Sequence, residues 1–164
     1  MRKISILSSV ISVIDGIIAV LVLTISGLFG FLGIGLITDS GAHSGEIMAG
    51  VFSIFVLAFG IFETIFFAIS PIVGLTTKRK ARKYTKIGRN PIDAYMTDAI
   101  VKVGINGFSL LIAIFGLISN IRDGYYQIIP VYGFIFTLGA LSVWLFIEVI
   151  LYKKNIELNQ SLSK

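Results

Sequence analysis

Four stretches of this chain, 16–37, 47–62, 103–119 and 128–147, contain no formally charged residue. Allowing one ionisable residue inside or beside each, every stretch reaches the roughly 20 mostly apolar residues that carry a helix across ~30 Å of hydrocarbon. A soluble domain is about a quarter charged, because it must face water somewhere. Here 55% of the 164 residues are hydrophobic and 14% are charged, with a mean hydropathy of +0.92. The expected fold is therefore an all-α integral membrane protein, an antiparallel four-helix transmembrane bundle with short outer loops. Its spans are read at about 4–37, 47–75, 99–119 and 128–152, and they form a single membrane domain over 1–164.

The N-terminal MRKISILSSVISVIDG has the charged and apolar regions of a signal peptide. No small-residue cleavage site follows and the next apolar run is directly adjacent, so it is read as a retained first helix. Cysteine is absent, which removes disulfides and thiolate metal sites and leaves the compartment unmarked by redox chemistry.

The placement of the basic residues sets the expected topology. Arg2 and Lys3 precede the first span, and Lys153, Lys154 and Lys164 end or follow the fourth. Lys78, Arg79, Lys80, Arg82, Lys83, Lys86 and Arg89 lie in a basic loop at 77–98. The other two loops, TDSGAHSGE and NIRDGYYQ, contain Arg122 alone. By the excess of Lys and Arg on the cytoplasmic side, both termini and the basic loop are cytoplasmic, which agrees with an even number of spans. The isoleucine- and lysine-rich usage, without organelle signals, points to the plasma membrane of a bacterium or archaeon.

Local punctuation refines the spans. Pro71 is expected to kink or end the second helix. Gly88 and Asn90 mark a turn, and Asn90, Pro91 and Asp93 read as the N-cap, first residue and first-turn acid of the third helix. Tyr125, Tyr126 and Tyr132 are placed at the outer interface and Tyr152 at the inner one. Small and polar residues recur three and four apart: Ser5, Ser8, Ser12, Asp15, Ala19, then Ser26, Gly30 and Gly33, followed by Ala49, Ser53, then Gly60, Glu63, then Ser70 and Gly74. The third span continues the rhythm with Asp98, Lys102, Asn106, Ser109, Ala113 and Gly116. Such stripes let membrane helices approach closely.

Six polar residues stand in the inner half of the spans: Asp15, Glu63, Asp98, Lys102, Asn106 and Glu148. An ionisable side chain at that depth costs ~2.5–3.5 kcal/mol on insertion scales, so it faces protein and finds a partner. Asp98 lies one turn before Lys102 in the favourable order, and Glu148 is an alternative partner. Asn106 is expected to bond a neighbouring helix, and Asp15 and Glu148 to sit near interfacial water. Glu63 is expected to face the bundle interior as the neutral acid. Three roles remain open for the group: structural pairing, a proton or cation relay, or a socket for another subunit's helix.

The basic loop suits anionic lipid headgroups, with ~1 kcal/mol per basic residue at the surface, or an acidic protein partner. Nucleic acid is not expected, because Tyr84 alone makes a poor stacking platform. No nucleophile–base motif, Walker motif or dinucleotide fingerprint occurs. GLFGFLGIG at 27–35 lacks the lysine of a phosphate loop. His43 with Asp39 and Glu46 stands in a Gly-flanked turn and is not read as a metal site. No cofactor, metal or catalytic residue is expected. The expected function is a non-catalytic membrane subunit acting through helix–helix and basic-loop contacts, as an accessory, assembly or immunity-type component. The alternative is a small oligomeric proton- or cation-coupled transporter or channel using the intramembrane carboxylates.

Overall fold

A computed structural model describes residues 1–38, 43–122, 124 and 129–162. The chain forms four α-helices in order, α1 (Arg2–Thr38), α2 (Ser44–Lys86), α3 (Ile92–Arg122) and α4 (Ile129–Leu162). All four are long and apolar enough to cross a membrane. At ~1.5 Å per residue each exceeds the ~30 Å of a hydrocarbon core, so each extends beyond its apolar run. The outward side chains agree with a hydrocarbon surrounding. Phe31 is 78% exposed and Phe115 75% exposed, amid many exposed Ile, Leu and Phe residues. Soluble monomers rarely show apolar patches beyond a few hundred Å².

The helices run past the ends of the expected spans. In the basic loop expected at 77–98, the residues up to Lys86 continue α2, while α3 begins at Ile92, beside the Asn90–Pro91 start expected for it. Lys, Arg and Ala are good helix formers, and nothing breaks the helix before Gly88, which has φ +71°. Lys83 and Lys86 then sit in the last turn of α2, where they complement its C-terminal dipole. Of the kink or helix end expected at Pro71, the end does not occur, since α2 runs through it. Ending a helix in an apolar setting strands several backbone groups, whereas running through a proline removes a single hydrogen bond. At the far end, α4 runs ten residues past the expected boundary at 152, to Leu162.

Capping follows local chemistry. Asn90 Oδ1 accepts the Ile92 amide at 3.0 Å, the N-cap arrangement expected for α3. At the start of α2, the Glu46 carboxylate accepts the His43 amide at 2.7 Å, which is the reach-back half of a capping box.

The chain divides into two compact units. The unit Ile14–Ile69 joins parts of α1 and α2 along their small residues. A side chain added at Gly60 would collide with Ser26, and one at Gly33 would meet Ser53 and the Gly50 carbonyl. The backbones can approach this closely only because those positions lack Cβ atoms. Thr64 Oγ1 donates to Gly60 O at 2.7 Å and lies 3.4 Å from Ala19 O. Ala49, on the expected stripe, is exposed, and the neighbouring Gly50 is buried instead.

The other unit, Met1–Val13 with Ser70–Lys164, contains the start of α1, the end of α2, and the packed pair α3 and α4. Its apolar core includes Ile4, Ile11, Ile92, Ala99, Leu145 and Val149. Tyr132 belongs to the α3–α4 packing, where its hydroxyl accepts the Asn120 side-chain amide at 2.5 Å. Tyr125 and Tyr126, assigned to the outer interface, lie outside the described residues.

Candidate functional site

The polar residues that the sequence distributes along α3 meet in the core of the Met1–Val13/Ser70–Lys164 unit. Asp98, Lys102 and Asn106 are spaced four apart, and residues at that spacing share one helix face. Asp98 and Lys102 are both 0% exposed and Asn106 is 1% exposed. Lys102 Nζ donates to Asp98 Oδ1, forming a buried ion pair within one turn. The second carboxylate oxygen of Asp98 accepts the hydroxyl of Ser8 on α1 at 2.6 Å. Ser12, one turn further along α1, donates to Ser8 O at 2.9 Å. Gly74 of α2 completes the site: a Cβ there would collide with Ser12 Oγ and stand 3.5 Å from Lys102 Nζ. A bare backbone at 74 thus leaves room for the Ser12 hydroxyl.

One turn beyond, Asn106 Nδ2 donates to Ser142 Oγ of α4 at 2.9 Å, and Ser142 passes its own proton to Leu138 O at 3.0 Å. Asn106 Oδ1 and Ser70 Oγ are buried without a hydrogen-bond partner among the described residues.

This arrangement joins helices and neutralises charge. In a low-dielectric interior, an ion pair persists where its geometry is good and further hydrogen bonds satisfy the remaining lone pairs. Both oxygens of Asp98 are engaged in that way. Neither of two surface concavities in this unit is lined by Asp98 or Lys102.

The other sequence candidates lie elsewhere. Glu148 is half-buried on α4 and accepts the Trp144 indole N–H at 3.0 Å, so its partner is on its own helix and not Lys102. Asp15, fully buried, and Glu63, half-buried, belong to the Ile14–Ile69 unit. Glu63 has no hydrogen bond or ion pair among the described residues. His43 and Glu46 are engaged in capping, Asp39 lies outside the described residues, and no group of three metal-ligating side chains occurs among those described. The site residues missed by sequence reasoning are Ser142, Trp144 and, as a partner of Asp98, Ser8. A lone serine in an apolar run was the available signal for Ser142, and the Ser8–Ser12 spacing was the signal for α1.

The second feature is the basic end of α2. At ~100° per residue, Lys78, Ala81, Arg82 and Thr85 share one face, and Arg79, Lys83 and Lys86 share the adjoining one. Lys80 stands alone on the side away from Arg82. Arg79, Lys80, Arg82, Lys83, Lys86 and Arg89 are exposed, and Lys78 is half-buried. Among the described residues, none of these seven forms an ion pair with an acid. The first face lines a concavity with Arg2 and Ser5 of α1 and with Pro91 and Tyr95 beside and within α3. A second groove of about 460 Å³ runs between α3 and α4 and is largely apolar, lined by Val103, Leu110, Gly139 and Trp144 among others.

Compared with protein-family models, curated proteins and solved structures, the chain matches none of them.

Proposed function

We propose that this protein is a non-catalytic subunit of a membrane complex, held in the bilayer as an antiparallel four-helix bundle with both termini and the α2–α3 turn on the cytoplasmic side. The observation that carries the reading is the helical basic segment. Its row of Arg79, Lys83 and Lys86 is exposed and is unanswered by any acid of the chain among the described residues. A preformed helix holds those charges at fixed spacing, so an acidic protein surface meets them with less ordering entropy than it would meet a loop. Support for the antiparallel arrangement comes from the order of the helix pairings. Thr64 stands by Ala19, Gly60 by Ser26 and Leu57 by Gly30; Lys153 stands by Asp93, Ser142 by Asn106 and Tyr132 by Asn120. The cytoplasmic placement rests on the basic residues alone, and the plasma membrane of a bacterium or archaeon remains the proposed location.

The transport reading would give the intramembrane carboxylates a coupling role. Asp98 argues against a relay at its own position, since Lys102 and Ser8 occupy both of its oxygens. Glu63 is the acid left for that role.

Gentle extraction of the tagged chain from its native membrane tests both. A stoichiometric foreign subunit should co-purify with the wild type and with Glu63→Gln, and at least ~10-fold less of it with Arg79→Gln/Lys83→Gln/Lys86→Gln. A homo-oligomer with no foreign subunit, together with ion flux in proteoliposomes that Glu63→Gln abolishes, would establish the transporter instead.

A further inference from the structure

The concavity between the ends of α1, α2 and α3 has a chemistry that the partner-docking row lacks. Its volume is about 610 Å³, and its lining includes Arg2, Lys78, Arg82, Ser5, Thr85 and Tyr95. Three cations therefore line it beside three hydroxyl-bearing side chains, of which Thr85 already donates to Ala81 O at 3.0 Å, and no acid stands in the wall. Small-ligand sites are concave clefts of ~300–1,000 Å³, so this one has room for a discrete group. The cations come from two helices. Lys78 and Arg82 are one turn apart on α2, and Arg2 opens α1.

A further source of positive potential lies at the rim. Pro91 lines the concavity immediately before α3, so the N-terminal end of that 31-residue helix points its partial positive charge there. The nearest first-turn acid, Asp93, is drawn off by Lys153 at 3.3 Å. The position along the helices fixes the ligand's setting. Residues 64–77 are uncharged and Lys78 is the first basic residue after them, while Arg2 stands two residues before the buried Ile4. The concavity thus sits where the apolar runs end, at the depth of lipid phosphates.

We infer that the Arg2–Lys78–Arg82 concavity is a binding site for one anionic phospholipid, whose phosphate is held by the two guanidinium groups, the ammonium and the neighbouring hydroxyls. A guanidinium grips phosphate oxygens bidentately and an ammonium acts as a point charge. The site is separate from the Arg79, Lys83 and Lys86 row and does not depend on the existence of a protein partner.

Native mass spectrometry of the detergent-solubilised full chain, titrated with phosphatidylglycerol or phosphatidylcholine, tests the assignment. Wild-type protein should retain one phosphatidylglycerol at least ~10-fold more tightly than phosphatidylcholine. Arg2→Gln/Lys78→Gln/Arg82→Gln should lose that preference, and the single exposed change Arg82→Gln should weaken it on a chain that still folds. The charge-keeping Arg2→Lys/Lys78→Arg/Arg82→Lys should restore most of it. Arg79→Gln/Lys83→Gln/Lys86→Gln removes the same charge and should retain the lipid even where it loses a protein partner. Equal losses from the two neutral triples would overturn the site in favour of diffuse attraction. Displacement of the lipid by millimolar inorganic phosphate would overturn the lipid as its ligand in favour of a soluble anion.

Discussion

Asp98 and Lys102 make the strongest demand on their surroundings. Each is wholly buried, and each is tolerable there because the other is present. Removing one partner of a buried pair leaves an uncompensated charge, at a cost of ~3–5 kcal/mol, whereas replacing both with uncharged groups of similar volume is often close to neutral. Lys102→Met should therefore destabilise the protein by about that amount, and Asp98→Asn/Lys102→Met should recover most of the loss. Thermal unfolding in detergent of the two single variants and the double would measure the coupling. Additive losses would mean that the two side chains do not act as a pair. This pair was legible in the sequence, because its four-residue spacing on a helix leaves the two side chains side by side. The role of Ser8 was not, since nothing local states which helix α1 will meet 90 residues later. Glu148 shows the opposite failure. Its depth suggested Lys102, but Trp144, one turn before it on the same helix, supplies a nearer donor.

At the scale of elements, the apolar runs disclosed the four helices but not their ends. A hydrophobic run reports where lipid is, and a helix continues beyond it as long as the polar residues that follow favour helix. Lys78–Lys86 reads as loop where the apolar periodicity stops, although Lys, Arg and Ala have high helix propensity and Gly88 is the first residue there to adopt a positive φ. The small-residue stripes were more informative. Ser8, Ser12, Ser26, Gly30, Gly33, Gly60 and Gly74 are all buried, because close backbone approach is a property of residue size. Both basic faces of α2 require the segment to be helical. Single spin-labelled cysteines at 78 to 86 should show mobility and water access with a period of ~3.6 residues, with 78, 82 and 85 in one phase and 79, 83 and 86 in another. A monotonic rise in mobility along the segment would return it to loop and remove the distinction between the two faces.

At the scale of the whole molecule, the central claim is a chain that crosses the membrane four times and gathers its basic residues on one side. The composition alone points to membrane residence, because so little polar surface is available to face water. The sidedness rests on charge placement alone. The chain contains no cysteine, so each introduced thiol reports unambiguously. The most direct measurement is labelling of His43→Cys, Lys80→Cys, Arg122→Cys and Gln160→Cys with a membrane-impermeant maleimide, in intact and then permeabilised cells of the native host. Positions 43 and 122 should label in intact cells, while 80 and 160 should label only after permeabilisation. Labelling of position 80 together with 43 in intact cells would contradict that sidedness.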